Sequence, residues 1–140
     1  MATGLAAPDT VITAFDGTSV TLSDYSGSPV VVNFWASWCP SCVAELGAAI
    51  QSVFEAVGDD VAFVGVNIQD ERAAALEMIE ETGVEFDLAV DQDGDLFLAF
   101  GAIEMPFTAL IDDDGRVVER HTGPLTESQL LDLIGEAFQT

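Results

Sequence analysis

The chain has 140 residues, 49% of them hydrophobic, which suits one domain with a single core and argues against disorder. It carries 25 acidic residues against three arginines and no lysine, for a formal net charge of −22. That balance disfavours nucleic acid and anionic lipid as partners, because nothing neutralises phosphates; no apolar run is long enough for direct membrane insertion.

One domain is expected over 1–140, with residues 1–10 as its loose leader. MATGLAAPDT has no basic stretch and no long apolar stretch, so it does not read as a signal peptide. Val11–Phe15 and Ser19–Leu22 flank Asp16-Gly17 and are predicted to form a short hairpin. Val30–Trp35 is apolar on both alternating faces except at Asn33, the signature of a strand buried on both sides. Pro40 suits the first turn of a helix. That helix is predicted to run to Gly58, with Val43, Leu46, Ile50, Val53 and Val57 as its apolar stripe.

A second buried strand is predicted over Val61–Ile68. A helix over Glu71–Thr82 follows, with Ala75, Leu76 and Ile79 turned inward and Gly83 as its stop. Phe86–Val90 is a short strand, and Asp91–Asp95 turns into a short helix ending at Gly101. Phe107–Ile111 and Val117–His121 flank Asp112–Gly115 as an antiparallel hairpin. Thr126 with Gln129 forms a capping box for a last helix, with Leu125 able to staple onto Leu130. This order predicts an α/β fold with a central mixed sheet covered by helices on both faces.

The only two cysteines lie in VVNFWASWCPSC, directly after the buried strand. They could be a structural clasp, half a metal site or a redox centre. A disulfide closing so short a loop removes little chain entropy, so it makes a poor clasp. Zinc needs four ligands, and beyond carboxylates only His121 could join, so no metal is expected. At a helix start, Cys39 would sit at the N-cap, where unpaired N–H groups and the helix dipole stabilise a thiolate. Cys42 would then be placed to attack a mixed disulfide formed on Cys39. With no lysine nearby, the Cys39 pKa is expected moderately below the thiol reference of about 8.5.

NFWASWCPSC resembles the active-site segment of the thioredoxin-like superfamily, and the whole chain after about residue 7 resembles its TlpA/ResA/DsbE group. The leading hairpin, the GVNIQDE segment at Gly65–Glu71, the helix–strand insert at Asp70–Val90 and MPFTALIDDDGRVVERHTGPLTESQL from Met105 carry the likeness. The resemblance implies a thioredoxin-like fold and a thiol–disulfide oxidoreductase whose only redox group is the Cys39–Cys42 disulfide. It matches Cys39 to the exposed attacking cysteine and Cys42 to the resolving one. Trp38 becomes a flat wall beside the sulfurs, with Pro40 between the cysteines. Pro106 matches a cis-proline that leaves Met105's backbone free to pair with a substrate peptide. Asp70 matches an acidic residue near the site, implying a raised pKa and proton exchange with Cys42; a helix N-cap is its other reading.

Two positions depart from the pattern. Asn33 stands where thioredoxins carry a buried aspartate, and an amide cannot take the resolving cysteine's proton. Phe107 replaces a small polar residue and is expected to reshape the substrate groove. Elsewhere, Asp91-Gln92-Asp93-Gly94-Asp95 looks like the front of a calcium loop, but the twelfth position is Ala102, so a plain turn is expected.

The leading functional reading is a reductant exchanging disulfides with cysteine-containing proteins, in cytochrome c maturation or a similar task. It would draw electrons from a membrane or soluble thiol donor. A disulfide-forming oxidase, or a thioredoxin-fold binding module without turnover, are the alternatives. The implied location is extracytoplasmic, with any signal or anchor outside this sequence; cytoplasmic is the alternative. The chain is expected to be a monomer. Its scattered acids read as a solvated surface, or as adaptation to high salt, where screening makes self-repulsion tolerable.

Overall fold

Six consecutive residues, β3 (Val30–Trp35), are all buried, and the rest of the sheet is built around them. The computed structural model describes residues 5–138. Its other strands are β1 (Ile12–Ala14), β2 (Ser19–Val20), β4 (Ala62–Ile68), β5 (Asp87–Asp91), β6 (Phe107–Ile111) and β7 (Val117–Thr122). They form one mixed sheet in the order β2-β1-β5-β4-β3-β6-β7. The central strands β3, β4 and β5 are parallel, and β6 joins β3 antiparallel. A hairpin forms each edge.

Successive side chains of a strand point to opposite faces, and β3 shows the consequence. Val31 and Trp35 enter one core cluster, with Cys42, Leu46, Ile50, Val53, Ala75, Leu130 and Ile134. Val30, Val32 and Phe34 enter the other, with Leu22, Leu96, Phe97 and Phe100. The first face is covered by α1 (Pro40–Glu45), α2 (Gln51–Val57), α3 (Arg72–Thr82) and α5 (Glu127–Ala137). The second is covered by α4 (Asp95–Ala99) and a 3-10 turn at Leu22–Tyr25. The chain therefore has the expected mixed α/β architecture, with the helix–strand insert supplied by α3 and β5.

The capping box opens α5: Gln129 N donates to Thr126 Oγ1 at 3.2 Å, and Thr126 N donates to Gln129 Oε1 at 2.9 Å. Gly83 ends α3 with φ 70°, a left-handed conformation that favours glycine.

Three expectations are corrected. Residues 5–7 of the leader are not loose. Val117 N donates to the Leu5 carbonyl at 2.9 Å and Ala7 N to the Gly115 carbonyl at 2.8 Å, so this segment covers the β7 edge; residues 1–4 lie outside the described residues. The long helix from Pro40 is interrupted by a π turn at Leu46–Ile50 between α1 and α2. An apolar stripe looks much the same through such a turn. Leu76 is exposed, at 41%, because α3 packs through Ala75, Met78 and Ile79. Leu76 lies about 100° around the helix from Ala75, off that stripe.

Candidate active site

β3 ends at Trp35, and four residues later the chain enters α1. Cys39 is the helix N-cap, in extended conformation, and its sulfur accepts from Cys42 N at 3.3 Å. Ser41 Oγ lies 3.7 Å from the same sulfur. Pro40 occupies the first helical turn, where its missing N–H costs nothing. Cys39 and Cys42 are joined in a disulfide, with Cα atoms 5.3 Å apart.

The two cysteines differ in access. Cys39 keeps 8% of its surface and Cys42 none. Cys39 is thus less exposed than the resemblance implied. It belongs to the same packed cluster as Trp35 and Ala36, which leaves only an edge of it open. An incoming thiolate reaches Cys39 and not Cys42. Trp38, immediately before the pair, is 56% exposed, and its Nε1 donates to the Gln69 carbonyl at 2.8 Å. Pro40 is also exposed.

The Met105–Pro106 peptide bond is cis. The pairing of Phe34 with Phe107 sets this bond at the end of β3 from which the Cys39 loop departs. Met105 packs against the core cluster that holds both cysteines. Among the described residues, neither the N–H nor the C=O of Met105 is engaged in a hydrogen bond. Phe107 does not shape a groove: it is 3% exposed, and its ring packs against Phe34 at 6.0 Å and Phe97 at 6.2 Å. The residue after the proline points into the core because it begins β6, whose side chains are all buried.

Asp70 does not have the raised pKa that the resemblance implied. Burial alone would raise its pKa, but hydrogen bonds from Asn67, Ser37 and Glu71 outweigh burial and hold it below the usual aspartate value. Ser37 N and Ser37 Oγ each donate to it at 2.7 Å, Asn67 Nδ2 at 3.0 Å and Glu71 N at 2.8 Å. The N-cap of α3 is Glu71, one residue on. Its hydrogen bonds make Asp70 a clamp on the loop that precedes Cys39.

The carboxyl with the raised pKa is Glu45, which the sequence reading passed over. It lies one helical turn after Cys42 on α1 and is 4% exposed. Burial pushes its pKa up, and the bonds it accepts from Leu125 N and Asn33 only partly offset this. Leu125 N donates to Oε2 at 2.6 Å and Asn33 Nδ2 to Oε1 at 3.0 Å. Asn33 also donates to Thr108 Oγ1 at 3.0 Å. The amide at position 33 thus donates to a buried carboxylate. One signal was available: a glutamate three residues after Cys42 must share its helix face.

His121 lies on β7, opposite Thr108 of β6. Asp91 is buried, and its Oδ2 accepts from Phe97 N at 2.9 Å, so this carboxylate secures the start of α4.

Comparison with known proteins agrees with this geometry. The Redoxin family profile matches residues 2–134. The chain is 32% identical over 129 residues to thiol-disulfide oxidoreductase ResA of Bacillus subtilis, covering 92% of this chain and 72% of that protein. It is 30% identical to ResA of Geobacillus kaustophilus over 132 residues, covering 93% and 75%. Among solved structures, MTB dsbF superimposes with a TM-score of 0.85 at 29% identity, covering 96% of this chain and 99% of that one. A Chlorobium tepidum protein described as a thiol:disulfide interchange protein DsbE gives 0.83 at 30% identity, covering 98% of both. A CxxC disulfide at a helix start, a cis-proline at the same sheet end and this likeness converge: the chain belongs to the Redoxin family and is a thioredoxin-like thiol–disulfide oxidoreductase of the TlpA/ResA/DsbE type.

Proposed function

We propose that this protein is a reductant of disulfides in polypeptides, acting outside the cytoplasm in cytochrome c maturation or a comparable task. The Cys39 thiolate attacks one sulfur of a substrate disulfide. The substrate's other sulfur leaves as a thiolate and takes a proton from solvent. Cys42 passes its proton to Glu45 and attacks the Cys39 sulfur. The second substrate thiolate is released, the Cys39–Cys42 disulfide forms, and two electrons have moved to the substrate. A thiol donor, membrane-bound or soluble, returns the pair to the dithiol. The free N–H and C=O of Met105 would align the substrate chain by adding a strand-like contact. Cysteine-bearing secreted or envelope proteins fit as partners, in keeping with relatives named ResA and DsbE.

One observation carries the reading. A sulfur with a single open edge caps a helix, and its sealed partner lies one turn before a buried carboxyl of raised pKa. Helix-start donors stabilise the Cys39 thiolate, and among the described residues its sulfur's partners are Cys42 N and Ser41 Oγ rather than a cation. This favours a reducing potential, because the strong oxidants are those whose reduced thiolate is most stabilised.

The test is a redox titration combined with trapping. The potential is expected at or below about −200 mV, whereas one near −120 mV would make the protein an oxidase. Cys42→Ser should hold its partner as a mixed disulfide on Cys39, identifiable by mass spectrometry. Function that survived Cys39→Ser unchanged would instead make the fold a binding module.

A further inference from the structure

Gln69 is the one non-glycine among the described residues whose backbone enters the left-handed region, at φ 45°. A side chain is disfavoured there, so the surrounding structure must hold it. The bonds at this corner say what is gained. The Gln69 carbonyl accepts from Trp38 Nε1 at 2.8 Å, and Gln69 N donates to the Gln92 carbonyl at 3.2 Å. The next residue, Asp70, accepts from Ser37 N and Ser37 Oγ. The corner after β4 therefore grips both Ser37 and Trp38, the two residues before Cys39.

Trp38 needs such a grip. Its ring is more than half exposed, so packing alone does not fix its orientation. The indole forms one wall of an open groove of about 600 Å³ that also includes Glu71, Gln92 and Asp93. Trp38, which lines this groove, immediately precedes the nucleophile in the chain.

We propose that Gln69 is a positioning residue for disulfide exchange. Its left-handed backbone aims a carbonyl at Trp38 and fixes the indole as the wall against which the substrate chain packs beside its cysteine. The side-chain amide of Gln69 plays no part; the carbonyl direction does. This inference rests on the proposed exchange with polypeptide substrates, and it predicts an effect on substrate selection more than on bond exchange.

The experiment compares wild type, Gln69→Val, Gln69→Gly, Trp38→Phe and Gln69→Val/Trp38→Phe. Two probes are used: insulin as a polypeptide disulfide, and hydroxyethyl disulfide as a small one. Val resists positive φ and should swing the carbonyl away, whereas Gly adopts it freely. Gln69→Val is expected to raise KM for insulin about fivefold, the worth of one net hydrogen bond. The preference for insulin over hydroxyethyl disulfide should fall in step, and Gln69→Gly should keep it. NMR should show slow hydrogen exchange at the Trp38 indole N–H in wild type and Gln69→Gly, and fast exchange in Gln69→Val. In the Trp38→Phe background, Gln69→Val should add nothing.

The inference is overturned if Gln69→Val keeps both the insulin preference and the slow indole exchange, or if its effect persists without the indole N–H. Should Gln69→Val not fold, Trp38→Phe decides alone, since full insulin preference in that variant overturns the proposal. A wild-type protein inactive on insulin and every other polypeptide disulfide would instead remove the exchange reading on which the inference rests.

Discussion

The Asn33 side-chain amide donates to the Glu45 carboxylate at 3.0 Å, inside the core and one helical turn below Cys42. Burial raises the Glu45 pKa, and the Leu125 and Asn33 bonds offset only part of that. A carboxyl with a raised folded pKa favours folding fully below its unfolded value of about 4.3, and that contribution is lost as pH rises through the folded value. Urea unfolding of wild type and Glu45→Gln from pH 4 to 8 should therefore show wild type losing ground as pH increases. A gap that widened in favour of wild type would contradict the buried-acid assignment. Resolution of a mixed disulfide by Cys42 should slow on the order of a hundredfold in Glu45→Gln, the typical worth of a general base, measured by stopped flow.

Asp70 behaves in the opposite sense. Burial pulls its pKa up, but the bonds from Asn67, Ser37 and Glu71 pull it lower still. Its contribution is present above the unfolded value of about 3.9 and is lost as pH falls through the depressed folded value. Asp70→Asn sets an amide against the Ser37 donors. The residue is partly exposed, so water recovers some of the loss, and about 1–2 kcal/mol at pH 7 is expected. The Tm gap between wild type and Asp70→Asn should be widest near neutrality and close below about pH 4. A gap that grew on acidification would be inconsistent with a low-pKa carboxylate.

These two carboxylates also mark where sequence reasoning stopped. β3 was legible because six residues in a row carry the mark of two-sided burial. The α5 start was legible because a capping box is local, spanning Thr126 to Gln129. Cys39 at a helix start followed from Pro40 and the preceding strand. Glu45 was not legible in the same way. Its partners lie 12 and 80 residues away, and until they are placed it is one more acid in a very acidic chain. Asp70 was expected to have a raised pKa and has a lowered one, because its bonds to Ser37 cross 33 residues. The pairing of Leu5 with Val117 and the left-handed turn at Gln69 leave no local pattern at all.

The charge leads to a third expectation. Two of the three arginines spend their guanidinium groups on backbone carbonyls: Arg72 on Phe15 at 2.6 Å and Arg120 on Phe100 at 3.2 Å. Most of the net charge of −22 is left to repel itself in the folded state, and salt screens it. The Debye length shrinks from about 10 Å at 0.1 M to about 3 Å at 1 M. Calorimetry from 0.05 to 1 M NaCl should show Tm rising by about 5 °C, equivalent to roughly 1–2 kcal/mol in a chain this long. A flat profile would mean that the acids are not mutually destabilising.

Gly65 ties the sheet to the residue that leads into the active-site loop. It sits on β4 opposite Asn33, and a Cβ there would lie 2.9 Å from Phe86 Cε1, 3.0 Å from Leu88 Cδ2 and 3.4 Å from Trp35 Nε1. The first two distances are too short for real carbon contacts, so Phe86 and Leu88 must move. Phe86 is 5% exposed and stacks edge-on with Phe54 at 5.8 Å, so its ring has little room to yield. Gly65→Ala is expected to destabilise the fold by about 1–3 kcal/mol, the usual cost of overpacking a core. The urea midpoint should fall while the slope stays constant, because the surface exposed on unfolding hardly changes. Trp35 fluorescence, read in a Trp38→Phe background, should shift as its neighbours are displaced. A variant as stable as its parent would show that the space beside Trp35 is looser than these distances state.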